Sequence, residues 1–204
     1  MTVIGIMLFD RVEELDVVGP WEVFTAASML AEQDGGTTDT IVTIAATLDP
    51  VRCNKGMRWL PDHTFGDHPP LDVVLAPGGN GTRVAVDDEP AMDWLARVAA
   101  DADWVTSVCT GALLLHGAGP GRGRRLATHW GFEDQLEARG DVTVVRDERW
   151  VVDGNVVSSQ GVSAGIDMAL WLVGQLRSPE FARRTQRYIQ YEPDPPYAEV
   201  PYPA

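Results

Sequence analysis

The sequence predicts an α/β domain, with a parallel sheet and helices on both of its faces. Three observations carry this. Val3–Phe9, Thr40–Ala46, Leu71–Ala76 and Trp104–Val108 are short apolar or β-branched runs, as expected of strands buried on both faces. Segments with apolar residues about three apart lie between them and read as helices. Turn-forming residues fall where one pattern gives way to the other, as at Gly35-Gly36 and Pro77-Gly78-Gly79. Alternating strands and helices specify parallel pairing. The chain has 204 residues, 45% of them hydrophobic, with no composition break and no internal repeat. It therefore reads as one domain, 1–204, long enough to bury a full core.

Element by element, Val3–Phe9 is the first strand and Asp10–Asp16 a polar loop. Gly19-Pro20 opens a helix over Trp21–Ala31, since proline suits a first helical turn. Trp21, Phe24, Ala27 and Leu30 mark its apolar side. Thr40–Ala46 is the next strand. Arg52–Leu60 is more mixed and reads as a hairpin turning near Asn54–Gly56. Leu71–Ala76 is a strand ending in Pro77-Gly78-Gly79. Pro90–Ala100 is helical, with Met92, Leu95 and Ala99 on one side. Trp104–Val108 is a strand that runs into Cys109-Thr110-Gly111, and Ala112–Ala118 is the helix after it. Gly117–Gly123 contains four glycines and a proline and is a loop. His129–Arg139 reads as helix and Val142–Val145 as strand. Trp150–Val152 and Val156–Ser158 flank Asp153-Gly154, a hairpin turn. Ser163–Leu176 and Ser178–Tyr191 are helices. Residues 192–204 hold five prolines in 13 positions and form an extended tail.

Composition excludes several functions. Lys and Arg total 16 against 30 Asp and Glu, a formal net charge of −14. Such a chain repels phosphate backbones and anionic lipid surfaces, so nucleic acid and membranes are not its expected partners. No apolar run reaches the roughly 18 residues of a membrane helix. The first ten residues lack the basic start of a signal peptide. Cys53 and Cys109 are too few for a disulfide framework or a metal quartet and fit a reducing cytoplasm. No His, Cys or Asp cluster has metal-ligand spacing. Gly117, Gly119, Gly121 and Gly123 follow a helix rather than a strand, so they are not a dinucleotide fingerprint.

In open parallel sheets ligands bind beyond the carboxyl ends of the strands. Asp16, Pro77-Gly78-Gly79 and Cys109-Thr110-Gly111 all fall there. A cysteine between a strand and a helix sits on a tight turn, where the helix N-terminus favours a thiolate and lowers its pKa. Its other reading is a buried structural thiol. Cys53 lacks such a turn and reads as structural. Gly78 and Gly79 expose backbone N–H groups that can donate to a developing negative charge, or they form a plain turn. Asp16 can serve as general acid or base or merely cap a helix. Glu13 and Glu14 compete with it, and acid–base chemistry alone does not choose among the three. His63, His68 and His116 form no evident triad with Cys109, and His129 reaches it only if the fold brings the two together.

Five segments in order carry a resemblance. They are Leu15-Asp16-Val17-Val18-Gly19-Pro20-Trp21-Glu22-Val23-Phe24, Ala76-Pro77-Gly78-Gly79, Ser107-Val108-Cys109-Thr110-Gly111-Ala112, Ala127-Thr128-His129-Trp130 and Gly161-Val162-Ser163-Ala164-Gly165-Ile166-Asp167. Together they resemble the DJ-1/PfpI superfamily across nearly the whole chain, and more narrowly its isonitrile hydratase-like branch. The segment Gln190–Tyr197 is similar to that branch too. The resemblance implies a flavodoxin-like three-layer α/β sandwich and a homodimer with the site near the subunit interface. It implies Cys109 as nucleophile, Asp16 as the acid–base carboxylate in place of Glu13 or Glu14, and Thr110 as a positioning residue. Val162 N–H would face the thiolate, and His129 would be structural. Thr110 stands where the peptidase branch has histidine, which argues against a peptidase. The glycine-rich stretch Gly117–Arg124 departs from the branch pattern, away from the nucleophile.

The expected activity is a cofactor-independent hydro-lyase that converts isonitriles to N-substituted formamides through a Cys109 thioimidate. Two alternatives accompany it. One is a non-catalytic small-molecule sensor related to the AraC-type regulators, which carry a basic DNA-binding domain that the sequence ending at Ala204 does not show. The other is a glyoxalase- or stress-type member acting on reactive carbonyls. The expected partners are a small-molecule substrate and a second copy of the chain.

Overall fold

The first strand, β1 (Val3–Met7), has alternate side chains facing opposite layers, as the two-residue repeat of a strand requires. Ile4 and Ile6 join one apolar cluster, and Met7 joins the other. A computed structural model describes residues 1–196 and 198 of the chain.

Helix α1 (Glu14–Gln33) starts seven residues before the predicted Trp21. Pro20 therefore lies inside it and has no N–H to give to the Asp16 carbonyl one turn back. Tertiary packing overrides this loss. Val17, Val23, Phe24 and Ala27 are buried in one cluster, and Gly19 lets α1 close on the later helix that carries Ile166, where an added Cβ would come 3.0 Å from that side chain. This corrects the placement of Asp16, which lies in the first helical turn rather than in a loop.

Strand β2 (Thr40–Ala45) follows, and β3 (Val51–Arg52) pairs antiparallel with β4 (Arg58–Trp59) as the expected hairpin. β5 (His63–Thr64) joins the sheet edge beside β2, although its two residues carry no apolar pattern. β6 (Val73–Ala76) precedes two helices, the four-residue α2 (Thr82–Ala85) and α3 (Glu89–Asp101). β7 (Trp104–Val108) leads through Cys109 and Thr110 into α4 (Gly111–Ala118).

The predicted helix over His129–Arg139 divides into a 3-10 turn (Trp130–Phe132) and the short α5 (Glu133–Glu137). Its break is local, because His129 Nδ1 accepts the Gly131 N–H at 3.1 Å and caps the first turn. β8 (Arg125–Leu126) and β9 (Thr143–Val144) form a separate two-stranded ribbon, so the Val142–Val145 segment stands apart from the main sheet. β10 (Trp150–Asp153) and β11 (Val156–Ser159) form the predicted hairpin. Helices α6 (Ala164–Leu176) and α7 (Pro179–Tyr188) follow, and the Ser178 hydroxyl accepts the Phe181 N–H to cap α7. Residues 192–196 have no regular secondary structure, and the remainder of the predicted tail, save 198, lies outside the described residues.

The main sheet has seven strands in the order β10-β11-β7-β6-β1-β2-β5, parallel throughout except for the edge strand β10. Helices α2 to α5 cover one face around Trp94, Leu95, Leu114 and Leu136. Helices α1, α6 and α7 cover the other around Phe24, Met168 and Leu172. The architecture is a flavodoxin-like α/β sandwich of three layers. Each fully buried large apolar side chain, such as Phe24 or Leu114, contributes about 1.5–3 kcal/mol. Among the described residues no helix is long and apolar enough to cross a membrane.

Candidate active site

The three loops singled out by position follow β1, β6 and β7, and those strands are neighbours in the sheet. Their carboxyl ends therefore open side by side.

Cys109 has φ +57°, a left-handed backbone for a residue that bears a side chain. The bend is held from both directions. Its N–H donates to the carbonyls of Ser159 at 3.1 Å and Gln160 at 3.0 Å. Its carbonyl accepts the Thr128 hydroxyl at 2.9 Å. Strain of this kind persists only where surrounding bonds over-determine it. Gly111 completes the turn, because an added Cβ there would fall 1.9 Å from the Ala76 carbonyl oxygen.

Asp16 is fully buried. Its Oδ2 accepts the Gly78 N–H at 2.8 Å, while its Oδ1 has no protein partner. Burial pushes its carboxyl up to about 7, and the Gly78 N–H and the Cys109 thiol only partly oppose this. The Cys109 thiol, 6% exposed, is pushed up to about 12 by burial first and by the Asp16 charge second. The N–H groups of Val162 and Thr110 and the Thr110 hydroxyl pull it down in part. The expected lowering of the thiol pKa by the helix N-terminus is thus overturned, because desolvation and the adjacent carboxylate outweigh the N–H groups. The two acids titrate as a pair. A proton passed from sulfur to Asp16 removes the charge that holds the thiol up.

Gly78 and Gly79 are placed otherwise than expected. The Gly79 N–H donates to Thr110 Oγ1 at 3.0 Å, as Gly78 does to Asp16. Both donors are committed to protein acceptors, so this loop holds the carboxylate and the threonine in place. Gly78 must be glycine, since a Cβ would come 2.6 Å from Thr110 N and 2.8 Å from Asp16 Oδ2.

The competing carboxylates point elsewhere. Glu13 binds Lys55 and, at 3.1 Å, Asn54 Nδ2. Glu14 accepts the Lys55 N–H at 2.7 Å. Both therefore secure the β3–β4 hairpin. Cys53 is buried in the apolar cluster under α1. His129 packs its ring on Gly161, where a Cβ would sit 2.6 Å from Cδ2, and burial lowers its pKa. Val162 has φ +43°, and its N–H is one of the groups that pull the Cys109 thiol down.

Two threonines that sequence reasoning passed over belong to the site. Thr128 clamps the elbow carbonyl. Thr82, fully buried in α2, places its hydroxyl 3.2 Å from that of Thr110. Thr128 stands beside the noticed His129, whereas Thr82 sits in a helix too short to show a period. A cavity of about 330 Å³ between α6 and α7, lined by Trp150, Leu170, Trp171 and Pro179, includes none of these residues. Among the described residues no three His, Cys, Asp or Glu side chains converge in a way that would hold a metal ion.

Fold and site together define a flavodoxin-like α/β protein with a cysteine on a strained elbow and a buried carboxylate beside it. A model of the DJ-1/PfpI family matches residues 2–175, and the chain belongs to that family. It is 39% identical to isonitrile hydratase from Pseudomonas putida over 194 residues, which is 95% of this chain and 80% of that protein. It is 29% identical to the Parkinson disease protein 7 homolog of Danio rerio over 187 residues, covering 89% of this chain and 93% of that one. A crystal structure of a ThiJ/PfpI family protein from Pseudomonas syringae superposes with a TM-score of 0.88 at 33% identity, covering 98% of this chain and 79% of that chain.

Proposed function

We propose that this protein is a lyase that adds water to isonitriles, giving N-substituted formamides. The observation that carries the reading is the buried Asp16 carboxyl, with one unpartnered oxygen, set beside the Cys109 elbow. Similarity to isonitrile hydratase at 39% identity supports the substrate class.

The terminal carbon of an isonitrile is electrophilic once protonated. The Cys109 sulfur forms a bond to that carbon while its proton passes through Asp16 to the same carbon, giving a thioimidate, R–N=CH–S–Cys109. Asp16 then takes a proton from water as the water oxygen attacks the thioimidate carbon, and the nitrogen is protonated. The C–S bond breaks, the sulfur regains a proton, and R–NH–CHO leaves. The sum is one isonitrile plus one water. The Val162 and Thr110 N–H groups favour the thiolate at both steps. The protein acts as a homodimer in this reading, in the cytoplasm, with a small uncharged substrate entering near the subunit interface.

Purified protein is incubated with cyclohexyl isocyanide and N-cyclohexylformamide is quantified. Turnover that Cys109→Ala abolishes and Asp16→Asn lowers at least about a hundredfold is the expected result. No turnover, or full turnover by Cys109→Ala, overturns the reading. Lactate from methylglyoxal without a thiol cofactor would instead favour a glyoxalase. Light scattering that shows a monomer would remove the homodimer.

A further inference from the structure

The bend at Cys109 is tied by hydrogen bonds to a side chain 40 positions on, at Arg149. The Cys109 N–H donates to the Gln160 carbonyl at 3.0 Å, and the Gln160 N–H donates to the Arg149 carbonyl at 2.9 Å. Arg149 precedes β10 and Gln160 follows β11, so this bond carries the hairpin one step past its last pair, Trp150 with Ser159. The Arg149 side chain then reaches α6. Its Nε donates to Asp167 Oδ2 at 2.7 Å, and its Nη2 contacts the same oxygen. Asp167 stands in the first turn of α6. One residue thus holds both ends of the link Gly161–Ser163, with its carbonyl at Gln160 and its guanidinium at α6. The link contains Val162 at φ +43°, a conformation that persists only where its surroundings fix it.

A third partner comes from the segment after α7. The Tyr191 hydroxyl donates to Asp167 Oδ2 at 3.3 Å. Gln190, at φ +51°, turns the chain back, and Gln186 fastens Tyr191 twice. The Gln186 carbonyl accepts the Tyr191 N–H at 3.0 Å, and its Nε2 donates to the Tyr191 carbonyl at 2.9 Å. Gln190-Tyr191 opens the stretch whose resemblance to the isonitrile hydratase-like branch has no other part in the site. The Arg149 and Asp167 side chains are 49% and 24% exposed, so their ion pair adds little to global stability. What it sets is local: the position of Gln160 relative to α6.

We infer that Arg149, Asp167 and Tyr191 are positioning residues that pin Gln160 to the start of α6, hold the Gln160 carbonyl on the Cys109 N–H and so keep the elbow bent. They act through Gln160 rather than on the reacting atoms. The inference rests on Cys109 as the nucleophile of the proposed function but not on an isonitrile as the substrate.

The test is amide hydrogen exchange, read residue by residue by NMR, with kcat and KM for formamide production measured on the same variants. In Arg149→Met the Cys109 and Gln160 N–H groups should exchange about fivefold faster, the size expected for loss of a half-exposed ion pair. The Leu75 amide, in the middle of the sheet, should keep its rate, which separates local loosening from global destabilisation. In the same variant kcat should fall by a similar factor with KM unchanged. Arg149→Lys, which keeps one donor for Asp167, should recover part of both effects. Tyr191→Phe should speed the same two amides about threefold, and it carries the test if Arg149→Met fails to fold. Adding Asp167→Asn to Arg149→Met should have no further effect, because the two act in series. Arg146→Met removes the same charge from ion pairs with Glu133, Asp134 and Glu137 and should leave both amides unmoved. Unmoved Cys109 and Gln160 amides, equal acceleration at Leu75, additive losses in the double variant or an equal effect of Arg146→Met overturns the inference. So does faster exchange with unchanged kcat. Faster exchange at the two amides in a protein that makes no formamide would sustain the inference while removing the isonitrile reading. Formamide production with unmoved amides would do the reverse.

Discussion

The Gly78 N–H donates to Oδ2 of Asp16 at 2.8 Å, so the loop after β6 fixes the carboxyl presented by the first turn of α1. The contact joins two segments 62 residues apart and sets where the acid–base group stands against Cys109.

Gly78→Ala tests that contact. The added Cβ has backbone of Thr110 at 2.6 Å, which cannot rotate away. Asp16 and the elbow must separate, and turnover should fall at least tenfold, since misplacement of a reacting group by a fraction of an ångström is costly. Circular dichroism should show the fold retained. Unchanged turnover would mean that the loop does not position Asp16.

Asp16→Asn separates chemistry from stability. Removal of a general acid–base group should lower kcat about a hundredfold to ten-thousandfold. Stability should move the other way. Folding raises the Asp16 pKa from 3.8 to about 7, so the native state binds this proton more tightly than the unfolded chain does. The protonated form's contribution is complete below about pH 4 and is lost as pH rises through about 7. Asn stays neutral throughout. Urea midpoints of wild type and variant should therefore be close at pH 4 and diverge toward pH 8, the variant becoming more stable by on the order of a few kcal/mol. A gap that does not widen with pH would contradict the burial of a charged Asp16.

The same titration shapes the rate. With Asp16 protonated no base faces the thiol, so kcat/KM for formamide production should rise through about pH 7 and level off above it. A profile flat from pH 5.5 to 8.5 would place the acid–base role on another group.

Strain at the elbow is measurable by comparing two inactive variants. Cys109→Gly adopts φ +57° freely, whereas Cys109→Ala does not. In chemical denaturation the glycine variant should be the more stable by about 1 kcal/mol. Equal stability would show that the turn relaxes around alanine.

Thr128→Val removes the donor to the Cys109 carbonyl and leaves that oxygen buried without its partner. A stability loss of about 1–3 kcal/mol is expected, together with slower turnover as the elbow loosens. A variant of full stability and activity would show that the Ser159 and Gln160 carbonyls hold the bend alone.

Much of the fold was legible because buried parallel strands and amphipathic helices write their repeats locally. β6, β7, α3, α6 and the β10–β11 hairpin lie where the patterns put them. The start of α1 was not legible. Pro20 signals a first turn, and only packing against α6 keeps the residues before it helical. The ribbon β8–β9 and the edge strand β5 have two residues per strand, too few to show a period.

For the site, the order of strand, Cys109, Thr110 and glycine by itself determined the elbow. Chain order, however, does not give strand order. Only the tertiary structure placed β1, β6 and β7 side by side and brought Asp16 under Gly78 and beside Cys109. It also turned Glu13 and Glu14 away to the β3–β4 hairpin and enlisted Thr82 and Thr128. The pKa of the pair was likewise decided there. A helix N-terminus visible in sequence argues for a lowered thiol, but burial and a neighbouring carboxylate are properties of the folded space around it, and they win.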